Sequence, residues 1–545
     1  MVLAGCVLAL AGCGGDKPSP HAAPARAGAE PAPRSDKQDR RARMRAARAR
    51  AAAEEAAWRR TELAEIEDSV TVRAALRRAL LTERIGRRAH AGYRAALAGA
   101  HEAAQRLTGA RAVEQSAVLS SVEQLAAERR LTPSRLPAVF LNLRRNTRTW
   151  TQEPFPVAGE RRSFGDDAAV FQYVPGRGMQ LHPLATWGKV NWQLRRCLLT
   201  RGKDCAERRL RRRIDGLAEL PARRGGFVAW EYYYPYAQGT PPWISGMAQA
   251  TAIQALSRAA IALDAPRYDR VARRALGAFE TAPPTGVAVD AAGGRRYVMY
   301  SFAPTLQILN GELQAINGLR DAAVLGRSER AARLVARGDR AARAALGGFD
   351  TGAWSLYSSA GGESTLAYHQ LTTNILAELC RRTEREEYCR AQRRFARYET
   401  EPPRVGIAPL RGLWAKRSAP LEFTLSKGSA VRVRVYGPRG VVLARDIQLG
   451  RGGHELSWTP PSRGRFEVRV TARGPEGRVG VSGRAVRVVL PKPKPKPKKD
   501  ERRREADPER RVPKPERRGE ADPERREPKP ERRGEAIEAQ PGGIG

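Results

Sequence analysis

Residues 348–378 read GFDTGAWSLYSSAGGESTLAYHQLTTNILAE. A loop rich in Gly, Ser and Thr comes first, and apolar residues at helical spacing, such as Leu371 and Ile375, follow it. This change of pattern predicts a loop at the start of a helix, and catalytic groups are often found on loops that rigid helices hold. Tyr357 and Tyr368 lie here, either as proton-transfer groups or as packing residues with hydrogen-bonded hydroxyls.

Helical patterns recur in pairs on both sides of this stretch. The second helix of each pair tends to be Arg-rich and amphipathic, so the pairs cannot bury their apolar faces alone. Repeated helical hairpins of this kind stack into an array or close into a ring, which predicts a mainly α domain. The pairs fall at residues 183–200 with 204–217, 245–263 with 267–281, 305–324 with 328–346, and 367–381 with 384–398.

The N-terminal part of the chain shows three different patterns. Residues 1–13 end in a sequence that looks like a bacterial lipobox, which predicts a lipoprotein signal with Cys13 as the lipidated residue, although no basic residues precede the apolar run. Residues 14–60 predict a disordered linker and then an Arg/Ala/Glu stretch, either a solvated helix or a basic stalk facing an anionic membrane. Residues 61–148 are helical by pattern and contain no catalytic cluster.

Strand patterns lie on either side of the helical pairs. Residues 164–180 are short, aromatic and punctuated by glycine, which predicts a β-hairpin before the helical domain. Residues 418–490 alternate apolar and polar side chains between Gly/Pro turns, which predicts a β-sandwich that resembles an immunoglobulin-like module. Residues 491–545 repeat Lys, Pro and Arg and cannot bury a core, so they predict a disordered tail.

Four of the six cysteines form two close pairs, Cys197 with Cys205 and Cys380 with Cys389. Each pair flanks a charged turn between helical patterns, so we expect two disulfides that close helical hairpins, with four free thiols as the alternative. Disulfides and a lipoprotein signal together predict an extracytoplasmic protein anchored to the cell membrane by lipid. Neither pair has the spacing of a zinc site. No cofactor is expected, and a structural calcium ion is left open.

The chain is strongly basic, with 98 Lys and Arg against 58 Asp and Glu and a formal net charge of +40. Such a surface attracts polyanions, which include nucleic acid, anionic lipid and acidic polysaccharide. No apolar run is long enough to span a bilayer. Residues 225–243 concentrate aromatic side chains in a loop-like stretch that ends at Trp243, and these side chains predict either a surface for stacking sugar rings or a small core under a long loop.

Three motifs occur in a fixed order along the chain. They are WISGMAQATAIQALSRA at 243–259, YVMYSFAPTLQILNGELQAINGLRDA at 297–322, and the pattern within 350–369 that ends in Tyr368-His369. Together they resemble the C-terminal domain of the D-glucuronyl C5-epimerase family, whose members invert C5 of glucuronate in heparan-type polysaccharides. The resemblance is clearest from about residue 230 to residue 391.

The resemblance implies that residues 150–402 form an incomplete (α/α) toroid whose groove holds an acidic polysaccharide. It implies no nucleic-acid partner and leaves a homodimer open. It assigns proton transfer to Tyr300 and Tyr368, and Tyr357 would orient the carboxylate or assist one base. His182 could equally cap a helix, and Ser245 and Gln249 could be structural. The substrate-binding candidates are Tyr173, Gln180, His182, Trp243, Ser245, Gln249, Asn310, His369 and Asn374.

Inversion at C5 removes a proton next to a carboxylate and returns one to the opposite face. It therefore requires two acid/base groups and stabilisation of the enolate-like charge. The family has a glutamate before the tyrosine that matches Tyr300 and an arginine shortly after the position of Tyr357, but this chain has Met299 and no such arginine. The predicted enzyme is an isomerase that resembles heparosan glucuronate 5-epimerase. A polysaccharide lyase and a non-catalytic protein that binds acidic glycan remain open as alternatives.

Overall fold

The computed structural model describes residues 36–165, 169–200 and 205–490. They belong to two compact units, of which the first ends at Asp68 and the second begins at Ser69. The predicted signal with Cys13, the first part of the predicted linker and the tail at 491–545 lie outside the described residues. Within the described ranges, no helix is both long enough and apolar enough to cross a membrane.

About half of the described chain is helical, and several small sheets accompany the helices. The helices are α1 (Asp36–Glu65), α2 (Val72–Leu81), α3 (Arg87–Arg106), α4 (Gly109–Ala127), α5 (Leu136–Gln152), α6 (Pro183–Leu199), α7 (Glu207–Ala218), α8 (Gly246–Ala262), α9 (Pro266–Ala275), α10 (Leu309–Val324), α11 (Glu329–Ala345), α12 (Leu366–Thr383) and α13 (Glu386–Tyr398). The strands are β1 (Arg161–Arg162), β2 (Phe171–Val174), β3 (Gly178–Leu181), β4 (Ala222–Arg224), β5 (Phe227–Ala229), β6 (Ala288–Ala291), β7 (Gly294–Tyr297), β8 (Val405–Ile407), β9 (Ala419–Leu425), β10 (Ser429–Gly437), β11 (Gly440–Leu449), β12 (Gly452–Trp458), β13 (Gly464–Arg473) and β14 (Val479–Val488).

Helix α1 makes up most of the described part of the first unit. Nearly all of its described side chains are exposed, because a sequence of Arg, Ala and Glu offers no continuous apolar face. Arg59 and Glu55, one turn apart, form an ion pair at 2.7 Å. The Arg-rich stretch that the sequence left as a solvated helix or a stalk is therefore a solvent-exposed helix.

Helices α2 to α5 pack together, and α4 and α5 contact the hairpin formed by β2 and β3. Asn146 of α5 holds that hairpin by both ends of its amide: its Nδ2 donates to the carbonyl of Met179 at 2.7 Å, and its Oδ1 accepts from the Met179 N–H at 2.7 Å. Leu143 of α5 and Trp187 of α6 belong to one continuous core. The β-hairpin predicted from residues 164–180 is present, and it joins the N-terminal helices to the helical pairs.

Helices α6, α8, α10 and α12 pack side by side in succession, and α9, α11 and α13 each pack against the helix that precedes them. The contact between α8 and α10 is close at Gly318, where an added Cβ would lie 2.4 Å from the carbonyl oxygen of Ala250. Only glycine fits at such a distance. Three of the four helical pairs read from the sequence, α8 with α9, α10 with α11 and α12 with α13, are thus paired in the structure.

A buried carboxylate connects three of these inner helices. Asp321 of α10 accepts a hydrogen bond from Arg258 of α8 at 2.7 Å and pairs with Arg382 of α12. Arg258 also donates to Asn191 of α6 at 3.3 Å. A buried charge is tolerated only where partners surround it, and here the partners come from neighbouring helices.

Both predicted disulfides are present in the structure. Cys197 near the end of α6 is bonded to Cys205 just before α7, and Cys380 of α12 is bonded to Cys389 of α13. Each bond joins two consecutive helices across a short connection, as their charged turns indicated.

Two antiparallel sheets follow the helical pairs. One sheet has the strand order β11-β10-β13-β14 and the other the order β12-β9-β8. Buried residues of both sheets, including Phe423, Val433 and Val468, form one shared core. Strand β10 alternates buried and exposed residues because one of its faces lies on that core.

Candidate active site

One pocket of the second unit lies where the inner helices begin. His182 caps α6, Ser245 caps α8, Asn310 lies in the first turn of α10, and Tyr368 lies in the first turn of α12. Because all four N-terminal ends meet here, their helix dipoles favour a negatively charged ligand. The space between the pocket walls is about 820 Å³, including a part open to solvent. Its lining consists of Arg161, Gln172, His182, Leu184, Tyr232, Tyr234, Tyr236, Trp243, Ser245, Met247, Met299, Tyr300, Asn310, Tyr357, Tyr368 and Leu371.

Tyrosines from separate segments form a hydrogen-bonded row along this pocket. Tyr300 follows β7, Tyr357 lies in the loop before α12, and Tyr368 lies on α12 itself. Tyr357 is hydrogen-bonded to both Tyr300 and Tyr368, and Tyr300 is also hydrogen-bonded to Tyr236. Protons can therefore pass between Tyr300 and Tyr368 through one intermediate hydroxyl.

The three tyrosines differ in their electrostatic surroundings. Burial holds the pKa of Tyr300 well above its ordinary value, and the neighbouring Tyr357 and Tyr236 raise it further. Burial also raises the pKa of Tyr357. The pKa of Tyr368 is raised by burial and by the neighbouring Tyr236, but the positive charge of Arg161 and the hydrogen bond with Tyr357 oppose this rise. Among the three, Tyr368 has the surroundings that favour a phenolate most.

Arg161 of β1 carries the one permanent positive charge among the pocket-lining residues of the described chain. Its Nε donates to Oε1 of Gln172 on the neighbouring strand at 3.0 Å, which fixes the plane of the guanidinium. Sequence reasoning missed this residue. Arginine is so frequent in this chain that one more arginine does not indicate a site. The position of Arg161 near Tyr368 depends on the pairing of β1 with β2 and on other contacts between segments that are distant in sequence.

A wall of stacked aromatic rings forms another side of the pocket. The rings of Tyr232 and Trp243 are parallel with their centroids 4.1 Å apart, and the indole N–H of Trp243 donates to the carbonyl of Tyr234 at 2.9 Å. Behind them, the carboxylate of Glu231 is buried and accepts two hydrogen bonds from Arg135 at 2.7 and 2.9 Å. The stretch at 225–243 therefore both lines the pocket and packs as a core, so the two interpretations of the sequence apply together.

His182 lines the pocket as a neutral imidazole. Its Nδ1 accepts from the Ala185 N–H at 3.1 Å and so caps α6. Burial lowers the pKa of His182 to about 3, with a further contribution from the charge of Arg161. His182 therefore caps a helix, and it also stays uncharged beside Arg161 at neutral pH.

The pocket contains seven of the residues named from the sequence. Tyr300, Tyr357 and Tyr368 form its row of hydroxyls, and the other members are His182, Trp243, Ser245 and Asn310. Ser245 is also structural, because its Oγ accepts from the Ala248 N–H at 3.3 Å.

Five of the named residues lie away from the pocket lining. The Tyr173 hydroxyl donates to Glu114 at 2.7 Å, and both ends of the Gln249 amide bind the backbone of Trp230, at 3.1 and 2.8 Å. Asn142 donates to Gln180 at 3.3 Å within the hairpin contact. These hydrogen bonds hold the elements around the site. Asn374 lies near the middle of α12 and is exposed to solvent.

His369 is fully buried beneath the loop that carries Tyr357. Its ring stacks on Trp354 with centroids 3.8 Å apart, its Nδ1 lies 2.7 Å from Oγ of Ser355, and its Nε2 lies 3.0 Å from the carbonyl of Phe395. Burial lowers the pKa of His369. Every polar atom of this side chain is engaged inside the protein, so His369 shapes the loop from below.

Met299 lines the pocket at the position where the sequence comparison led us to expect a carboxylate. Its sulfur lies 3.6 Å from Oγ of Ser245. No Asp or Glu lines the pocket within the described ranges. The groups that can exchange protons there are the tyrosine hydroxyls and the imidazole of His182. Because the pKa of His182 is low, its imidazole is uncharged at neutral pH and is a poor proton donor.

Clusters of three or more His, Cys, Asp or Glu side chains that could hold a metal ion are absent from residues 36–165, 169–200 and 205–490. The structural calcium that the sequence left open remains untested.

Comparison with known protein families finds a match that covers part of the pocket. Residues 224–397 match the family described as D-glucuronyl C5-epimerase C-terminus. This segment contains Tyr300, Tyr357 and Tyr368, whereas Arg161 and His182 precede it. No curated protein matches the chain.

Two solved structures of cellobiose 2-epimerases are distantly similar. The enzyme from Bacillus thermoamylovorans B4167 has a TM-score of 0.32 and 11% identity, over 53% of this chain and 75% of that chain. The enzyme from Spirochaeta thermophila DSM 6192 has a TM-score of 0.31 and 13% identity, over 53% of this chain and 74% of that chain.

Proposed function

We propose that the protein is a carbohydrate epimerase that inverts C5 of uronate residues in an acidic polysaccharide, because residues 224–397 match the family described as D-glucuronyl C5-epimerase C-terminus. The observation that carries the proposal is the hydrogen-bonded row Tyr300–Tyr357–Tyr368 beside Arg161. It supplies two proton-transfer groups and a cation in one pocket, as inversion next to a carboxylate requires.

In the proposed reaction, Tyr368 acts as the base. Its phenolate oxygen takes the C5 proton, and the electrons of the broken C–H bond move into the adjacent carboxylate. Arg161 stabilises the resulting enolate-like charge, and the N-terminal ends of the inner helices add to the effect. Burial raises the pKa of Tyr368, but Arg161 opposes this shift, so Tyr368 is the member of the row best suited to this step.

Tyr300 returns a proton to the opposite face of C5. Its raised pKa keeps the hydroxyl protonated at neutral pH, as a proton donor requires. After this transfer, Tyr300 is a phenolate and Tyr368 is protonated. Passage of protons along the row through Tyr357 restores the starting state, so Tyr357 acts as a relay in addition to any contact with the carboxylate.

The stacked aromatic wall suits a sugar polymer. The faces of Tyr232 and Trp243 and the edges around them present apolar surface with polar tips, which suits rings with alternating C–H and hydroxyl groups. The neutral His182 adds no second charge beside Arg161, which carries the one permanent positive charge among the described pocket-lining residues. We assign the substrate to uronate polymers on this basis.

The proposal extends to the architecture and location of the protein. We assign residues 150–402 to an incomplete (α/α) toroid, supported by the succession of inner helices, and residues 418–490 to an immunoglobulin-like module, supported by two sheets over one core. The two disulfides support an extracytoplasmic location. Lipidation of Cys13 and a homodimer remain proposals from the sequence.

Deuterium exchange tests the function directly. Purified protein is incubated in deuterated water with glucuronate and iduronate polymers, including heparosan, and the products are analysed by NMR. We expect deuterium at C5 together with inverted uronate residues. A product that absorbs as an unsaturated uronate would instead identify a lyase, and salt-sensitive binding without exchange or cleavage on any polymer would identify a binding protein.

A further inference from the structure

The turn between β9 and β10 inserts a lysine into the helical pairs. The side chain of Lys427 is 1% exposed, and its Nζ donates to the carbonyls of Tyr398 and Glu401, both at 2.8 Å, at the end of α13. Glu476, the carboxylate partner in the β-module at 3.0 Å, is equally buried. A buried ammonium with three oxygen partners is strongly localised.

Lys427 also reaches the floor of the loop that carries Tyr357. Its Nζ lies 4.9 Å from the centre of the Trp354 ring, which in turn stacks on His369. An ammonium over an indole face is an attractive contact, stronger where water is excluded. The turn thus supports the loop from beneath.

The residue after Lys427 holds the far side of the same loop. The N–H of Gly428 donates to Oε2 of Glu363 at 2.7 Å. Glu363 is bridged to Leu356, and the N–H of Tyr357 donates to the carbonyl of Gly362 at 2.8 Å. Glu363 therefore directly follows Gly362, the acceptor of this hydrogen bond, and its bridge partner Leu356 directly precedes the donor Tyr357.

We propose that the β-module formed by residues 405–488 positions the loop of Tyr357, with Glu363 as the positioning residue and Lys427 as the group that fixes the module to it. This inference rests on the proposed function, because it concerns the tyrosine that links Tyr300 to Tyr368. It gives the module a role in catalysis, beyond the support or adhesion that a surface module usually provides.

Two variants at one position test this role in the full-length chain. Glu363→Leu removes the acceptor for the Gly428 N–H, whereas Glu363→Gln keeps an oxygen acceptor without the charge. We expect Glu363→Leu to lower kcat by about 10- to 100-fold with little change in KM, because small misplacements of a reacting group have effects of this size. Glu363→Gln should keep nearly full kcat.

Hydrogen exchange followed by mass spectrometry gives a readout that does not need activity. In Glu363→Leu, amides of residues 350–365 should exchange faster, whereas those of the inner helices should not. The double variant Lys427→Met/Glu476→Leu removes both buried charges together, so neither is left unpaired, and it should accelerate the same amides. Glu455→Leu, an exposed change on β12, is the matched control and should alter nothing.

Unchanged exchange in residues 350–365 of Glu363→Leu would overturn the inference. Equal loss of kcat in Glu363→Gln and Glu363→Leu would also overturn it, because charge rather than the positioning bond would then matter. If the unmodified protein shows no C5 exchange on any polymer, the proposed function fails, and the amide exchange still decides whether the module holds the loop.

Discussion

The hydroxyls of Tyr357 and Tyr368 are hydrogen-bonded to each other, and the centroids of their rings lie 4.8 Å apart. Tyr357 lies in a loop and Tyr368 lies in the first turn of the helix that follows it, so the bond joins the loop to the helix. This pair connects the proposed base to the rest of the hydroxyl row, and the predictions below separate the roles of its members.

Replacement of Tyr368 by phenylalanine should abolish C5 exchange. The change removes only the hydroxyl that takes the proton, so we expect a loss of about 100- to 10,000-fold in rate with an unchanged fold. Exchange is measured by NMR and the fold by circular dichroism and thermal unfolding. Tyr297→Phe is the control, because it removes a buried hydroxyl that donates to Leu334 at 2.7 Å outside the pocket. Near-full activity in Tyr368→Phe would contradict the mechanism.

Tyr300→Phe should separate exchange from inversion. With Tyr368 still able to take and return a proton on one face, deuterium should enter C5 while the original configuration is kept. NMR of the product distinguishes deuterated glucuronate from iduronate. Iduronate formed at the normal rate would show that Tyr300 is not the donor on the second face.

Arg161→Gln should shift the pH profile of the reaction upwards. The charge of Arg161 lowers the pKa of Tyr368, so its removal raises that pKa, and the rising limb of kcat/KM, which follows formation of the phenolate, moves to higher pH. KM for uronate polymers should rise as well. Arg162→Gln, in which the neighbouring arginine that binds Glu160 is changed, should leave the limb in place. No shift in Arg161→Gln would remove Arg161 from the site.

The buried carboxyl of Glu312 should make stability depend on pH. Burial raises the pKa of Glu312 to about 7, against the opposing effect of Arg296. Because the folded pKa exceeds the unfolded one, its contribution is fully present below about pH 4.5 and is lost as the pH rises through 7. From pH 5 to pH 8, the Tm of the unmodified protein should therefore fall relative to the Tm of Glu312→Gln. The exposed Glu329→Gln should give a flat difference.

Removal of the second disulfide should lower stability without changing the chemistry. Cys380→Ser/Cys389→Ser opens a loop with a sequence separation of 9, and loss of such a link costs about 2–3 kcal/mol in the free energy of unfolding. Denaturant unfolding measures the change. Activity of the folded protein should persist, because neither cysteine lines the pocket; a loss of kcat under stabilising conditions would contradict this.

Much of the fold could be predicted from local patterns. Helical spacing, strand alternation and the two cysteine pairs each depend on neighbours in sequence, and the helical pairs, the β-hairpin and both disulfides are present. The positions of Tyr300, Tyr357 and Tyr368 in one pocket followed from motif order rather than from physical patterns.

The rest of the site depends on contacts between distant segments. Arg161 lines the pocket on a strand, β1, that pairs with β2 and is more than 130 residues away in sequence from Tyr300. His369 follows Tyr368 directly, but consecutive residues on a helix point about 100° apart, so Tyr368 faces the pocket while His369 faces Trp354. Adjacency to Tyr368 in sequence therefore does not bring His369 into the pocket lining. The structure buries its side chain against Trp354 instead.

The buried carboxylate of Asp321 lies 11 residues beyond Asn310 on α10, about 16 Å from the pocket by the helical rise. Its ties to Arg258 and Arg382 fasten the inner helices at the end remote from the chemistry. The residues that hold the inner helices together are thus different from those that line the pocket, so we expect substitutions in one set to leave the other in place. For protein engineering, we expect that the loops around Tyr300 and Tyr357 can be varied while the ion pairs of Asp321 still hold the inner helices together.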